Sequence, residues 1–148
     1  MEKEKTVQAI KVKDLNYLDI DLMSKYKNKP LLLLFYNNSC LGCTGRAIPL
    51  AYQFQQDYKE IQVLGIHVNF GNNKITKKDI ESIFTVSNLP FPIYLDETRA
   101  VYDSFNCEGT PHWILITKQR ALYRSIFGSQ SGAQNRLYYA IESFINES

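Results

Sequence analysis

The sequence has no long apolar run and little excess charge, and each absence excludes a class of protein. The longest uninterrupted apolar segment is Leu31–Tyr36, which is far short of the roughly 18 residues that cross a bilayer. The net charge is only +2 over 148 residues, and the lysines form no basic patch of the kind that binds nucleic acid. We therefore expect neither a membrane span nor a nucleic-acid partner.

Cysteine is also scarce, and the three present are too few and odd in number for a small scaffold held together by disulfides. Hydrophobic residues make up 45% of the chain and charged residues 22%, as is typical of a folded protein. With no repeat or linker, the sequence predicts one domain over residues 1–148, of which residues 1–6 are disordered. The charged N-terminus lacks a signal-peptide pattern. We expect a cytoplasmic protein if the chain is complete, and an extracytoplasmic one if a signal segment was trimmed.

Apolar periodicity predicts alternating strands and helices. Leu31–Tyr36 and residues 61–70 have the pattern of buried strands, and residues 40–58 between them have a helical apolar stripe that Pro49 should kink. The other expected elements are an edge strand or extended arm at 7–15, helices at 19–26, 76–86, 99–105 and 134–145, an extended segment at 91–95, and strands at 112–117 and 121–127. This order predicts an α/β fold with a central mixed sheet and helices on both faces.

Cys40 and Cys43 form a C-x-x-C pair at the point where the first buried strand ends and a helix begins. A helix N-terminus offers free N–H groups and the positive end of the helix dipole, which favour a thiolate. The thiolate is the form of cysteine that attacks a disulfide. Cys40, nearer the open end, is therefore the predicted nucleophile, and Cys43, one turn deeper, the predicted resolving thiol. Gly42 would let a partner chain approach closely.

A second motif, Gly109-Thr110-Pro111, directly precedes the predicted strand at 112–117. Proline is tolerated at the first residue of a strand, and X–Pro bonds are the peptide bonds that are commonly cis. A cis Pro111 facing the cysteines would expose the backbone of Thr110 to a bound polypeptide, which could pair with it as an added strand. The alternative is an ordinary trans proline that enters a strand.

Four further residues have both a functional and a structural interpretation. His67, near the carboxyl end of a strand, is either a proton acceptor for the cysteine pair or a buried histidine bonded to backbone. His112 either contacts a partner or a copper ion, or only begins a strand. Arg46 either lowers the thiol pKa or faces solvent. Cys107 is either a third redox thiol or a small core residue. A zinc site built on the C-x-x-C pair would need further ligands, for which the candidates are Cys107, His67 and His112.

The segments LLLLFY, SCLGC and GTP, in this order, resemble the thioredoxin superfamily over nearly the whole chain. Residues 102–116 and the segment LGIHVNF resemble its TlpA-like and AhpC/TSA-like branch. The resemblance implies a three-layer thioredoxin-like fold and a thiol–disulfide oxidoreductase in which Cys40 attacks, Cys43 resolves and Pro111 is cis. It also implies a protein or small-molecule disulfide substrate, a reducing dithiol donor, no cofactor beyond a redox-active Cys40–Cys43 disulfide, no metal, and a monomer or weak dimer.

The sequence departs from the pattern of these relatives in ways that leave two other functions open. Leu34 replaces the buried acid of thioredoxin, so that a proton acceptor near Cys43 must come from elsewhere, and Pro49 lies one residue further from Cys43 than usual. A thiol peroxidase of the AhpC/TSA type would have Thr or Ser where Asn37 stands. A copper-binding module of this fold would have C-x-x-x-C spacing.

Overall fold

A computed structural model describes residues 5–84 and 88–147 of the chain, with the side chain of residue 147 left out. Its elements are seven strands, five helices and one π-helical turn. They are, in chain order, β1 (Lys11–Lys13), β2 (Asp19–Asp21), α1 (Leu22–Lys25), β3 (Leu31–Tyr36), the π turn (Cys43–Ala47), α2 (Ile48–Asp57), β4 (Gln62–Val68), α3 (Lys77–Glu81), β5 (Ile93–Asp96), α4 (Ala100–Ser104), β6 (His112–Ile116), β7 (Leu122–Phe127) and α5 (Ser131–Glu147).

The strands form one mixed sheet in the order β2-β1-β5-β4-β3-β6-β7. Strands β3, β4 and β5 run parallel, whereas β6 and β1 pair antiparallel with β3 and β5. In the register of β3, Tyr36 lies beside His67 on β4 and Phe35 lies beside His112 on β6. The carboxyl end of β3 therefore meets the first residue of β6, which brings the cysteine motif next to the Thr110-Pro111 segment.

Helices cover both faces of the sheet, so the fold is a three-layer α/β arrangement, as predicted. All six residues of β3 are buried, because its side chains alternate between two cores. Leu32, Leu34 and Tyr36 point into a core shared with α2, α3 and α5. Leu31, Leu33 and Phe35 point into a second core shared with α1 and α4.

The N-terminal region differs from its prediction. Residues 19–21, expected to be helical, instead form β2, and only Leu22–Lys25 is helix. Asp21 accounts for the change, because its side chain accepts hydrogen bonds from the backbone N–H of Ile10 and of Met23. One carboxylate thus ties the chain to the segment before β1 and caps the helix that follows.

The remaining boundaries agree with the predicted order of elements to within a few residues. Thr76 and Asp79 form a reciprocal capping box at the start of α3, but the helix ends at Glu81, and the predicted end near residue 86 lies outside the described residues. Residues 1–4 also lie outside them. Lys5 accepts a hydrogen bond from Leu122 and Thr6 bridges to Ala121, so these two residues lie against the β6–β7 hairpin.

Candidate active site

A tight turn carries the chain from the end of β3 into the cysteine motif. The Asn37 side chain donates from Nδ2 to the carbonyl of Val68 at 2.8 Å and accepts from the backbone N–H of Ser39 at 2.8 Å. The Asn37 carbonyl accepts from the N–H of Cys40 at 3.0 Å. These contacts anchor the turn to the carboxyl end of β4 and fix where Cys40 stands.

The Cys40 thiol is half-buried and is held by hydrogen bonds. Its Sγ accepts from the backbone N–H of Cys43 at 3.2 Å and donates to the carbonyl of Thr110 at 3.4 Å. Partial burial raises the pKa of Cys40, but hydrogen bonds from the Cys43 thiol, the Thr110 side chain and the backbone N–H groups of Cys43 and Gly42 bring the pKa below its ordinary value. A thiolate at this position therefore accepts hydrogen bonds from backbone N–H groups at the helix N-terminus, where no other side chain of the described residues caps the turn.

The environment of Cys43 is the opposite. Its side chain is fully buried in the core beneath the motif. Burial raises the pKa of Cys43 to about 12, and the hydrogen bond that the Cys43 thiol donates to Cys40 is the second cause. The two cysteines are thus close and unequal, with one thiol favoured as thiolate and open to approach, and the other kept protonated in the interior.

A π-helical turn, Cys43–Ala47, separates the motif from α2. The N–H of Ile48 bonds to the carbonyl of Cys43, five residues back, and Pro49, which has no N–H, follows directly. A π turn accommodates one residue more than a regular helical turn. The π turn therefore accommodates the one extra residue between Cys43 and Pro49. The helix irregularity expected at Pro49 takes the form of this turn, which directly precedes the proline.

The Thr110–Pro111 peptide bond is cis, as the resemblance implies. Pro111 lies against the motif, since a Cβ placed on Gly42 would come within 3.7 Å of Pro111 Cδ and 3.2 Å of Ser129 Oγ. Gly42 thus allows close packing inside the molecule, whereas the sequence had suggested approach by a partner. Ser129, a buried polar residue, was not singled out from the sequence, where a serine in a loop gives no signal.

Both histidines are buried and bonded to the protein. His67 Nε2 accepts from the backbone N–H of Asn38 at 3.2 Å, and burial lowers the pKa of His67 to about 4. His112 Nδ1 accepts from the N–H of Glu108 at 3.4 Å, and its Nε2 lies 2.7 Å from the Ser125 hydroxyl. Three of the four ring nitrogens are therefore occupied, and in residues 5–84 and 88–147 no three His, Cys, Asp or Glu side chains are grouped to hold a metal ion.

The other two candidates contact parts of the protein other than the motif sulfurs. Arg46 is exposed, and its Nε donates to Ser129 Oγ at 3.4 Å. Cys107 packs against the second core, on the opposite face of the sheet from Cys43. Burial, with smaller contributions from the charges of Asp96 and Asp103, raises the pKa of Cys107 to about 12. This environment matches the core interpretation of Cys107.

Apolar surface adjoins the exposed side of the motif. Leu41, between the cysteines, is 87% exposed. A groove of about 490 Å³ begins at Thr44 and is bounded by apolar side chains that include Pro49, Tyr52 and Leu89. The Thr44 hydroxyl donates to the carbonyl of Cys40 at 3.4 Å, so the groove is continuous with the cysteine turn.

Comparison with known proteins agrees with this geometry, because the AhpC/TSA family model matches residues 4–127. The chain belongs to the AhpC/TSA family. It is 28% identical over 109 residues to the thiol-disulfide oxidoreductase ResA of Geobacillus kaustophilus, a match that covers 74% of this chain and 60% of ResA. It is 25% identical over 91 residues to the thiol-disulfide oxidoreductase YkuV of Bacillus subtilis, covering 61% of each protein.

The solved structures show the fold. The crystal structure of SPOA0173, a thioredoxin-like superfamily protein, has a TM-score of 0.76 at 22% identity and covers 95% of this chain and 97% of that one. The resemblance to the thioredoxin superfamily and its AhpC/TSA-like branch is confirmed. The chain spans about 60% of the length of the two curated relatives. Within the described ranges, none of the helices combines the length and apolar character that a membrane crossing requires.

Proposed function

We propose that this chain is a thiol–disulfide oxidoreductase that works by dithiol–disulfide exchange through Cys40 and Cys43. The observation that carries the proposal is the asymmetry of the pair. Hydrogen bonds to Cys40 favour its thiolate at a half-exposed position, while burial keeps Cys43 protonated one turn away. Enzymes of this chemistry need one attacking thiolate and one resolving thiol that does not compete with it.

The exchange takes two steps. The Cys40 thiolate attacks one sulfur of a substrate disulfide, a mixed disulfide forms, and the other substrate sulfur leaves with the electron pair and takes up a proton. Cys43 then loses its proton and attacks Cys40 Sγ. The Cys40–Cys43 disulfide forms, the bond from Cys40 to the substrate breaks, and the second substrate thiol is released. A dithiol donor must reduce the protein before the next cycle.

A polypeptide disulfide fits the surroundings of Cys40 better than a small molecule does. Leu41 and the groove beginning at Thr44 offer apolar contact near the motif. The half-exposed Thr110 brings its carbonyl to 3.4 Å from Cys40 Sγ. A substrate chain lying across Thr110 would contact backbone as well as side chains.

The two other functions find less support. The residue three before Cys40 is Asn37, and its amide is engaged with Val68 and Ser39, whereas a thiol peroxidase would have a hydroxyl there. For a copper site, His67 Nε2 and both nitrogens of His112 already serve other partners. Thiol–disulfide exchange needs none of these groups.

Reduction of insulin disulfides tests the proposal. We expect Cys40→Ser to abolish the activity and Cys43→Ser to accumulate a mixed disulfide with the substrate. Cys107→Ser is the matched control, because its sulfur lies on the other face of the sheet, and it should retain the activity. Full activity in Cys40→Ser would overturn the proposal.

The reduction potential of the Cys40–Cys43 couple decides whether the protein reduces or oxidises its substrate. A value near thioredoxin's, roughly −270 mV, would make the protein a reductant, and a value near −120 mV would make it an oxidant. We expect the reducing value, and redox titration against glutathione or dithiothreitol buffers measures it.

A further inference from the structure

The position of Thr110 depends on a short loop, residues 108–111, that connects the region after α4 to β6. The Thr110 carbonyl lies 3.4 Å from Cys40 Sγ, and its backbone is the part of the site that a substrate chain would lie across. Reactions that depend on positioning are sensitive to displacements of about 1 Å. The groups that hold this loop therefore bear on the reaction.

The end of β7 holds the loop on both sides of Thr110. The backbone N–H of Gly128 donates to the carbonyl of Pro111 at 2.9 Å. Gly109 has a φ of +147°, a conformation that favours glycine, and a Cβ placed on it would come within 2.9 Å of the Phe127 ring. These contacts fix Gly109 and Pro111, the two neighbours of Thr110 in sequence.

The His112 ring closes the loop at its first residue. Its Nδ1 accepts from the backbone N–H of Glu108, four residues earlier, at 3.4 Å. Because a neutral imidazole carries a single proton, an accepting Nδ1 leaves that proton on Nε2, which donates to Ser125 Oγ at 2.7 Å. The ring is 1% exposed and packs against Phe127, with centroids 6.2 Å apart. One ring orientation therefore serves the loop and β7 together.

We propose that His112 is a positioning residue for the reaction with polypeptide disulfides: its neutral ring holds loop 108–111 in the shape that presents Thr110, and protonation of the ring releases the loop. The inference rests on the proposed function. A protonated ring has an N–H group at both nitrogens, so its Nδ1 would face the Glu108 N–H as a second donor. The contact is then lost, and exchange with polypeptides falls in acid, while Cys40 still exchanges with disulfides that make no contact with Thr110.

The groups that face this ring leave it neutral at pH 7. Burial lowers the pKa of His112 below 6.5, and the charge of Glu108 on the loop acts in the opposite direction. Burial also raises the pKa of Cys107 to about 12, and the charges of Asp96 and Asp103 act on Cys107. Strands β3 and β7 present side chains that do not titrate in this range, namely Phe35, Ser125 and Phe127. His112 therefore takes up its proton below pH 6.5.

The test compares two disulfides, because the ratio of their rates cancels the thiolate fraction of Cys40. Reduced protein is mixed with a peptide disulfide, or with bis(2-hydroxyethyl) disulfide, at pH values from 5 to 8, and acid quench with mass spectrometry gives both rates. The small disulfide has no peptide backbone to pair with Thr110. We expect the ratio of the peptide rate to the small-disulfide rate to be constant above pH 7. In acid it should fall by about tenfold, the upper end of what one neutral hydrogen bond contributes.

Two substitutions at position 112 separate the acceptor from the titration. Asparagine places Oδ1 where histidine has Nδ1 and cannot take up a proton, so His112→Asn should keep the ratio high at every pH. His112→Leu has no acceptor and should give the low ratio throughout. His67→Gln is the matched control, since it removes the other buried histidine, and it should retain the acid fall. Circular dichroism shows whether each variant is folded.

The outcomes separate this inference from the proposed function. If the reduced wild-type protein consumes neither disulfide, the proposed function fails. If it consumes both and the ratio stays constant from pH 8 to pH 5, or if folded His112→Asn keeps the acid fall, the role of His112 is overturned. Nuclear magnetic resonance of the His112 ring gives its midpoint in the wild type, and a fall with a different midpoint would likewise contradict the role. The wild-type profile and this midpoint decide the question even where a variant does not fold.

Discussion

The open and interior sides of the cysteine motif contain the same reactive group in opposite settings. On the open side, Cys40 accepts hydrogen bonds from the Cys43 thiol, the Thr110 side chain and backbone N–H groups, and its pKa falls. On the interior side, Cys43 lies within the core, and burial raises its pKa to about 12. Two residues and one helical turn separate the thiols, so the difference comes from hydrogen bonding and burial rather than from residue type.

This comparison shows what a helix N-terminus contributes to the chemistry. The dipole and the free N–H groups favour negative charge at the first residues of the helix. Burial opposes charge further in. One strand-to-helix connection therefore provides both an attacking and a resolving thiol.

The largest expected effect is on the interior side and concerns protein stability in acid. Burial lowers the pKa of His67 from 6.5 to about 4, so between these values the folded protein binds fewer protons than the unfolded chain. Stability is therefore fully present above pH 6.5 and falls as the pH drops toward 4. We expect His67 to account for a loss of up to about 3 kcal/mol in the free energy of unfolding.

Urea unfolding at several pH values between 7 and 4 measures this loss. His67→Gln keeps an acceptor for the Asn38 N–H but cannot take up a proton, so its stability should depend less on pH. His112→Gln, a second buried histidine, should retain the His67 contribution. Equal pH dependence in wild type and His67→Gln would show that His67 is not buried in its neutral form.

An intermediate effect is expected at Gly42, the boundary between the two sides. A side chain there meets Ser129 Oγ and Pro111 Cδ, and overpacking of this kind costs about 1–3 kcal/mol. Gly42→Val should lower stability and slow insulin reduction, because it moves Cys40 away from Thr110. Gly45→Val is the matched control, since a Cβ at Gly45 meets nothing within 4 Å. Thermal unfolding that ranks the two variants equally would contradict this packing.

The smallest effect is expected on the open side at Thr110. Thr110→Val keeps the carbonyl but removes the hydroxyl that helps to lower the pKa of Cys40. The rate of Cys40 alkylation by iodoacetamide at pH 7 should fall by up to about tenfold, with little change in stability. Thr44→Val is the control, because the Thr44 hydroxyl bonds to the Cys40 carbonyl and not to its sulfur. A Thr110→Val rate equal to that of wild type would assign the lowered pKa to the Cys43 thiol and the backbone N–H groups.

The order of elements and the placement of the cysteines could be predicted because both follow from local patterns. The apolar run of β3 has the pattern of a strand buried on both faces, and the helical apolar stripe after it predicts that the motif begins a helix. The short elements were harder. β2 and α1 depend on Asp21, whose two hydrogen bonds reach a distant segment and a neighbouring N–H, and no periodicity in four residues records such contacts.

Ser129, a site residue missed from the sequence, stands in a loop with no motif, so its neighbours in sequence do not mark it. Its position follows from tertiary packing, through the close approach at Gly42.

The asymmetry of the two thiols is tested most directly by alkylating the reduced, folded protein with iodoacetamide over a range of pH and locating the label by mass spectrometry. We expect Cys40 to react first, with an apparent midpoint below 9.0. Cys43 should stay unlabelled until the pH approaches about 12. Labelling of Cys43 before Cys40, or of both with one common midpoint, would contradict the account.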